Sequence, residues 1–336
     1  MTAAVSNSEI DLQPLAERRV AVLGYGSQGR AQALNLRDSG IDVVVGLRAG
    51  GASWARAEAE GWAPESVASA VASAELVAML VPDMAQPDLF EQEVREHLRP
   101  GATLLFSHGF NIHYGAIEPP PEVDVVMVAP KGPGNLVRDQ YDEGRGVPCL
   151  VAVHHDASGA AEARARAYGA AIGGARAGLL GTTFQEETET DLFGEQAVLC
   201  GGATELVTAG WETLVEAGYS PEVAYFECLH ELKLIVDLLY EGGLGRMHRF
   251  ISDTASYGDL TRGPRVIDAG ARERMQQILE QIQDGSFARE WQGEHARGGE
   301  RYAALKRQRM THPIETVGRE LRSRLAWLKP PQEAAA

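Results

Sequence analysis

Two pairs of acidic residues interrupt stretches that otherwise read as buried helix. Asp191 and Glu195 form the first pair, and Glu227 and Glu231 form the second. The members of each pair are four positions apart, so both carboxylates lie on one face of a helix. An unpaired carboxylate is costly to bury, and four of them on two helices form a hard oxygen-ligand set suited to Mg²⁺ or Mn²⁺. The pairs therefore predict metal-assisted chemistry.

Simpler interpretations of the acidic residues remain open. The run 186–191 is acidic enough to be a solvated helix N-terminus, where carboxylates complement the helix dipole. The second pair lies in the run 224–240, which is too apolar for a surface helix. His230 and Glu231 begin a His-Glu-x-x-His zinc motif, but Leu234 stands where the second histidine belongs. The sequence therefore argues against a zinc protease.

Composition describes an ordinary globular protein and excludes several functions. The 336 residues are 44% apolar and 23% charged, and a chain of this length predicts two domains. The net charge of −16 argues against a nucleic-acid partner. The three cysteines are far apart, which fits a reducing compartment. We find neither a secretory signal nor an apolar run of about 18 residues, so we expect a cytoplasmic protein with no membrane span.

The first half of the chain alternates short apolar runs with amphipathic segments, a pattern typical of a parallel sheet covered by helices on both faces. Helices are predicted over 28–39 and 54–60. Strands are predicted over 19–23, 42–46, 76–81, 103–106, 125–128 and 149–153. The fold class is therefore a doubly wound α/β domain, assigned to residues 1–181.

The pattern becomes helical after residue 181. Ser220 and Pro221 suit the first turn of a helix, whereas Gly218 and Gly242 suit helix ends. Helices are predicted over 187–200, 201–217, 221–240, 272–283 and 314–325. We therefore expect an all-α domain over 182–328, carrying both acidic pairs, and a flexible tail over 329–336.

A glycine-rich motif links the first predicted strand to the following helix. Residues 24–29 read Gly-Tyr-Gly-Ser-Gln-Gly, which matches Gly-x-Gly-x-x-Gly in the context that it requires. Such glycines allow a tight turn and let the pyrophosphate of a dinucleotide approach the helix N-terminus. The motif predicts a Rossmann-type dinucleotide site.

The end of the second strand favours NADPH over NADH. An NADH site places an acid there for the ribose hydroxyl, but the strand 42–46 is followed by Arg48. Arg48 and Ser53 offer a guanidinium and a hydroxyl for a 2′-phosphate. Arg48 could also be a solvated loop arginine.

Three further residues are candidates for the site. His108 follows a strand, and Lys131 lies in the rigid Pro-Lys-Gly-Pro-Gly loop 130–134. A histidine at a strand end is more often structural than catalytic. Ser252 has an equally plain alternative role as a helix cap.

Five motifs together closely resemble ketol-acid reductoisomerase, in its short bacterial form. They lie at residues 24–33, 108–112, 129–134, 186–196 and 227–233, and the resemblance extends from about residue 20 to residue 328. The resemblance implies conversion of 2-acetolactate or 2-aceto-2-hydroxybutyrate into a 2,3-dihydroxy-3-methyl acid, with NADPH and two Mg²⁺ as cofactors. This activity belongs to branched-chain amino-acid biosynthesis.

The resemblance also implies residue roles. Asp191 would bridge both ions, Glu195 would bind one, and Glu227 and Glu231 would bind the other. Glu231 is the candidate proton shuttle, Ser252 would hold the substrate carboxylate, and His108 would stand beside the reacting centre. Lys131, a cation on a glycine-rich loop, is a candidate charge stabiliser from its residue type and position. The implied cofactor residues are Gly24, Tyr25, Gly26, Ser27, Gln28, Arg48, Gly51, Ser53, Asp83, Met84, Ala85, Gln86 and Gly134.

One position in the predicted cofactor site departs from the family pattern. Gly51 stands where the family usually has a second hydroxyl, which weakens the expected binding of the 2′-phosphate.

By resemblance, the helical domains of two chains interlock in a knotted packing, so we expect a dimer or an assembly of dimers. The expected partners of the protein are small 2-hydroxy-3-keto acid substrates, and we expect it to bind neither nucleic acid nor a membrane.

Two other classes of protein would share the first domain. A metal-independent NADP-dependent hydroxyacid dehydrogenase would not need four carboxylates, and its turnover would survive removal of metal. A non-catalytic NADP-binding protein would bind the cofactor and show no turnover with any metal. Assays of metal dependence separate the three classes.

Overall fold

The protein is described by a computed structural model covering residues 11–325. These residues form two compact units, 11–188 and 189–325, and the division falls within one helix. The predicted tail at 329–336 and the last residues of the predicted helical domain lie outside the described residues.

The first unit is built on a seven-stranded sheet in which β1 to β5 are parallel. The strand order is β2-β1-β3-β4-β5-β6-β7. The strands are β1 Arg19–Leu23, β2 Asp42–Gly46, β3 Leu76–Met79, β4 Thr103–Phe106, β5 Asp124–Pro130, β6 Cys149–His155 and β7 Leu179–Gly181. The predicted doubly wound class is confirmed, but β6 runs antiparallel to β5, and the short edge strand β7 was not predicted.

Helices cover both faces of this sheet, as the apolar runs predicted. Val20 and Val22 of β1 belong to one apolar core, whereas Ala21 and Leu23 belong to the other. The alternation follows from the two-residue period of a strand, and burial on both sides explains the continuous apolar run. The helices are α1 Gln13–Ala16, α2 Ser27–Asp38, α3 Ala52–Ala59, α4 Val67–Ser73, α5 Gln86–Leu89, α6 Phe110–His113, α7 Gly134–Asp142, α8 Ala161–Ala171 and α9 Phe184–Gly194.

The second unit consists of the end of α9 followed by helices, which confirms the predicted all-α region. The helices are α10 Gly201–Glu216, α11 Pro221–Tyr225, α12 Glu231–Phe250, α13 Asp253–Val266, α14 Ala269–Gln283, α15 Ser286–Ala296, α16 Glu300–Met310 and α17 Pro313–Ser323. Two π-helical turns, Glu195–Leu199 and Phe226–His230, follow α9 and α11. Ser220 caps α11 by accepting a hydrogen bond from the Val223 amide, as predicted.

One prediction about the long apolar helix is confirmed and one is wrong. Gly242 and Gly243 have non-helical backbone angles and interrupt α12, so Gly242 stands at a helix end, as predicted. The run around the second acidic pair is not buried, however, because Glu227 and Glu231 are exposed. The core around Trp211 is built by α10, α11 and α17, and among the described residues α12 adds none to it. Within residues 11–325, every helix is too short or too polar to cross a bilayer.

Candidate functional site

The glycine-rich loop between β1 and α2 has the geometry of an anion-binding turn. Gly24 has a φ of +97°, and a Cβ there would lie 3.0 Å from the Leu80 carbonyl carbon. A Cβ on Gly29 would lie 2.2 Å from the Gly24 oxygen, whereas one on Gly26 would meet no atom within 4 Å. The loop therefore packs tightly on one side and opens at Gly26, beside the N-terminus of a 12-residue helix.

A cleft of about 890 Å³ lies at the carboxyl ends of β1 to β4, and we call it the strand-end cleft. Ligands of doubly wound sheets bind at this edge. Ser107 and His108, at the end of β4, contribute to its wall. The predicted cofactor residues that line it are Gly24, Tyr25, Gly26, Ser27, Gln28, Arg48, Gly51, Ser53, Asp83, Ala85 and Gln86.

Two predicted cofactor residues, Gly134 and Met84, do not line the strand-end cleft. A Cβ on Gly134 would lie 2.2 Å from the Ser27 carbonyl oxygen, so this glycine lets the start of α7 pack against the glycine-rich loop. Met84 is half-buried in the 3₁₀ turn Asp83–Ala85.

Gln86 supports the cleft wall mainly through buried hydrogen bonds. Its Nε2 donates to the Val81 carbonyl at 3.0 Å, and its Oε1 accepts from Asn111 Nδ2 at 2.9 Å. Asn111 also donates to the Asp83 carbonyl at 2.9 Å. These bonds join the turn after β3 to α6, which follows His108, and so connect two sides of the strand-end cleft.

Tyr25 lies in the glycine-rich motif, but its phenol group is bonded away from the loop. Its side chain is buried, its hydroxyl donates to Glu60 Oε2 at 2.6 Å, and Trp62 Nε1 donates to the hydroxyl oxygen at 2.7 Å. Burial raises the pKa of Tyr25, and the Glu60 carboxylate raises it further. The phenol is thus neutral and ties the loop to the C-terminal end of α3.

The loop after β2 matches the sequence prediction for a phosphate cradle. Arg48 is exposed and lines the strand-end cleft, and Gly51 is the N-cap of α3, which carries Ser53 in its first turn. The acid of β2 is Asp42 at the other end of the strand, where it pairs with Arg19 at 2.9 Å. No carboxylate of β2 itself therefore stands at the end where an NADH ribose would bind.

A buried carboxylate, Glu187, organises two of the predicted catalytic residues. Its Oε1 accepts from Lys131 Nζ at 2.8 Å, and its Oε2 lies 3.1 Å from His108 Nδ1. The Gly109 amide also donates to Oε2 at 3.1 Å. His108 follows β4 and Lys131 follows β5, so α9 brings its carboxylate to the ends of two adjacent strands. We call His108, Lys131 and Glu187 the Glu187 cluster.

The ion pairs outweigh the cost of burying this carboxylate. The Glu187 side chain is only 1% exposed, and burial raises the pKa of a carboxyl group. Hydrogen bonds and charge from His108 and Lys131 act in the opposite direction, and the net pKa of Glu187 is lowered. Glu187 is therefore an ionised carboxylate that orients an ammonium and an imidazole.

The approach of α9 to the sheet requires glycine at position 109. A Cβ there would lie 2.3 Å from Thr188 Oγ1 and 3.0 Å from the Phe184 carbonyl oxygen. A side chain at this position would push α9 away and separate Glu187 from His108.

Sequence reasoning missed Glu187, since it treated the run 186–191 as a possible solvated helix start. A signal was available: Glu187 lies three positions after Phe184 and four before Asp191, so the three share one helical face. Phe184 is buried, which makes that face the inner one.

The proposed metal ligands lie at irregular points of the helices. Asp191 is half-buried on α9, Glu195 begins the first π-helical turn, Glu227 lies in the second, and Glu231 begins α12. π-Helical turns are rare and frequently mark functional sites.

Among the described residues, the two acidic pairs do not come together into one metal-binding group. Within residues 11–325, no group of three or more closely spaced metal-ligating atoms includes Glu227 or Glu231. In the same range these two carboxylates also have no ion-pair partner. The second pair is therefore available to a cation.

Ser252 is the N-cap of α13, where its hydroxyl oxygen accepts from the Ala255 amide at 3.1 Å. The capping role considered from the sequence is thus present. Because the oxygen is the acceptor, the hydroxyl proton can still be donated to a ligand.

The fold and the strand-end cleft define the first unit as a Rossmann-type domain of the dinucleotide-binding kind. A semialdehyde dehydrogenase NAD-binding protein from Cupriavidus necator has a similar fold, with a TM-score of 0.63 and 17% identity over 80% of this chain and 99% of that one. At this identity the likeness concerns the fold alone.

Closer comparisons identify the family. Residues 14–178 match the NADPH-binding domain of acetohydroxy acid isomeroreductase, and residues 184–327 match the C-terminal domain of ketol-acid reductoisomerase. A ketol-acid reductoisomerase (NADP(+)) from Xanthomonas euvesicatoria is 57% identical over 97% of each chain. The structure of an NADH-preferring ketol-acid reductoisomerase from an uncultured archaeon has a TM-score of 0.94 and 45% identity, covering 96% of this chain and 98% of that one. The chain belongs to the ketol-acid reductoisomerase family, a family of oxidoreductases.

Proposed function

We propose that the protein converts 2-acetolactate or 2-aceto-2-hydroxybutyrate into the 2,3-dihydroxy-3-methyl acid. The reaction is an Mg²⁺-dependent alkyl shift followed by reduction with NADPH, in the cytoplasmic synthesis of branched-chain amino acids. The Glu187 cluster carries the proposal, because it holds a cation and an imidazole at the strand ends beside a dinucleotide-type cleft.

The acidic residues fit two divalent cations. Carboxylate oxygens are the ligands that Mg²⁺ prefers, and Asp191, Glu195, Glu227 and Glu231 would supply them. The last two lack a protein cation within residues 11–325, which is consistent with a metal partner. Bound Mg²⁺ would polarise the substrate carbonyl and acidify the neighbouring hydroxyl.

The remaining chemistry belongs to side chains of the protein. Glu231 takes the proton of the tertiary hydroxyl during the alkyl shift and returns one when the product forms. The Lys131 ammonium, oriented by Glu187, stabilises negative charge on the reacting oxygens. The Ser252 hydroxyl donates to the substrate carboxylate.

The strand-end cleft would hold NADPH, which supplies the hydride. The glycine-rich loop and the N-terminus of α2 receive the pyrophosphate, and Arg48 with Ser53 receives the 2′-phosphate. The archaeal relative prefers NADH, whereas the Xanthomonas relatives are named for NADP(+). The arginine at position 48 and the absence of an acid from the end of β2 favour NADPH here.

A second copy of the chain would complete the helical unit. Large apolar side chains remain exposed on α12 and α13, among them Leu234 (49%), Tyr240 (91%), Leu244 (69%), Tyr257 (67%) and Leu260 (65%). Exposed apolar side chains concentrated on neighbouring segments of a chain are typical of a protein interface. The unpartnered carboxylates Glu227 and Glu231 lie on the same stretch, so we infer that a homodimer both covers this surface and completes the metal site.

The test measures NADPH oxidation by the full chain with 2-acetolactate and Mg²⁺. Asp191→Asn and Glu231→Gln should each reduce turnover by several orders of magnitude, because each removes a metal ligand. Asp237→Asn is the control on α12, since Asp237 pairs with Lys233 on the surface, and it should retain activity.

A second arm supplies the already isomerised 3-hydroxy-2-keto acid and a chelator. Loss of turnover with both substrates supports the proposal. Metal-independent reduction of this keto acid, or near-normal turnover by Asp191→Asn, would contradict it in favour of a simple hydroxyacid dehydrogenase.

A further inference from the structure

A fully buried amide, Gln32, lies on α2 one turn after Gln28 and behind the strand-end cleft. We propose that Gln32, hydrogen-bonded to Tyr168, is a positioning residue that holds Gln28 and Ser107 in the geometry required to bind NADPH. The inference rests on the proposed use of the strand-end cleft for this cofactor.

The hydrogen bonds of Gln32 join separate parts of the cleft wall. Its Nε2 donates to Gln28 Oε1 and to Ser107 Oγ, both at 3.0 Å. Gln28 in turn donates through its own Nε2 to the Gly132 carbonyl at 2.9 Å. The glycine-rich loop, the end of β4 and the loop that carries Lys131 are thus linked through one buried side chain.

Tyr168 holds the oxygen end of the Gln32 amide. The Tyr168 hydroxyl donates to Gln32 Oε1 at 2.8 Å, and Nε2 faces Gln28 and Ser107. Tyr168 is itself fully buried, and burial raises its pKa, so its hydroxyl stays protonated and remains a donor. The Gly132 carbonyl at the other end of the network can only accept, so it fixes the orientation of the Gln28 amide and, through it, that of Gln32.

The network also prepares Ser107 to bind a ligand. Ser107 lines the strand-end cleft and its oxygen accepts from Gln32, which leaves the hydroxyl proton to be donated. Gln28 lines the same cleft, and its amide is held from both ends. A ligand then meets polar groups that are already ordered, which reduces the entropy cost of binding.

A purely structural role is the competing explanation, and α2 provides a matched control. Asn35 is also a fully buried amide on this helix. Its Nδ2 donates to the Ile172 carbonyl at 3.0 Å, and its Oδ1 accepts from Arg138 Nη1 at 2.8 Å. These partners lie away from the cleft wall. Removing either amide should destabilise the fold, but only Gln32 should affect the cofactor.

The experiment compares Gln32→Met with Asn35→Leu in the full chain, measuring the Kd for NADPH by titration and the Tm without ligand. Both variants should lower the Tm. Gln32→Met should also raise the Kd about tenfold, which corresponds to about 1.4 kcal/mol, and raise the KM for NADPH more than it lowers kcat. Asn35→Leu should leave the Kd near that of the parent.

Tyr168→Phe is a second variant that removes one hydroxyl and keeps the ring. It should raise the Kd in the same direction, and it decides the matter if Gln32→Met does not fold. An unchanged Kd in the folded Gln32 or Tyr168 variant, or an equal rise in Asn35→Leu, would overturn the positioning role. A parent that does not bind NADPH would instead refute the proposed cofactor, and this inference with it.

Discussion

Replacing Glu187 by glutamine tests the centre of the Glu187 cluster. Glutamine has the same shape but no charge, and its amide offers one acceptor where the carboxylate has two. If its oxygen faces Lys131, its NH₂ group faces the Gly109 amide, which is also a donor. One donor must therefore lose its partner, and the ammonium loses its counter-charge.

The expected loss of stability follows from these contacts. A hydrogen bond to a charged group contributes roughly 1.5–3 kcal/mol, and breaking a fully buried ion pair costs roughly 3–5 kcal/mol. Lys131 is 33% exposed, so solvent screens part of its charge. We therefore expect Glu187→Gln to lower the free energy of unfolding by about 2–3 kcal/mol at neutral pH.

The pH dependence supplies a second readout. The pKa of Glu187 is lowered from the ordinary glutamate value of 4.5. A lowered carboxyl pKa contributes stability that is fully present above the unfolded value and disappears as the pH falls through the folded value. The difference in free energy of unfolding between parent and variant should therefore be greatest at neutral pH and shrink below pH 4.5.

Urea denaturation followed by circular dichroism, at neutral pH and at steps below the ordinary glutamate value, measures both effects. Glu186→Gln is the control, because Glu186 is exposed and its Oε2 accepts from the Thr182 hydroxyl at 2.7 Å. Turnover of 2-acetolactate should fall strongly in Glu187→Gln and little in the control. Equal stability of the two variants, or a difference from the parent that does not change with pH, would refute the reasoning.

Three further predictions concern the cofactor, the dimer and the core. A Cβ on Gly51 would lie 3.4 Å from the nearest atom, which is an ordinary contact, so Gly51→Ser should fold normally. Gly51→Ser should raise the ratio of kcat/KM for NADPH over NADH, whereas Arg48→Ala should largely erase the preference for NADPH. A parent protein that prefers NADH would contradict this interpretation of the loop. Tyr240→Glu should shift sedimentation towards a monomer and reduce activity, and a fully active parent monomer would refute the dimer. Arg164→Met breaks a buried pair with Asp124 at 2.7 Å and should lower the free energy of unfolding by roughly 3–5 kcal/mol, while the KM for NADPH stays unchanged. Urea denaturation measures this loss of stability. A loss no larger than the ~0–1 kcal/mol typical of a surface ion pair would contradict the prediction.

Local sequence determined the first unit to a large extent. The runs 20–23 and 104–106 are apolar and buried at every position, which is typical of strands that both faces of a sheet cover. Gly24, Gly26 and Gly29 serve backbone geometry, which depends on neighbours a few residues away. The strand-end positions of His108 and Lys131 followed from the same pattern.

The direction of β6 and the extent of α12 burial could not be obtained this way. A connection containing one helix, such as that between β5 and β6, can return the chain in either direction, and the apolar period of a strand is the same both ways. Likewise, the apolar content of α12 predicted a buried helix, but the composition of a helix does not specify which other elements pack against it. Within one chain Tyr240 remains 91% exposed.

The Glu187 cluster and the environment of Tyr25 were decided by tertiary structure alone. Glu187 meets His108 across 79 residues of sequence, and Tyr25 meets Glu60 across 35. Periodicity can place a residue on the inner face of its own helix, but it contains no information about the partner that the opposite element presents. The ionisation of a buried carboxylate and the donor role of a buried phenol depend on that partner, because in a medium of low polarity the nearest charge or hydrogen bond outweighs the intrinsic property of the group.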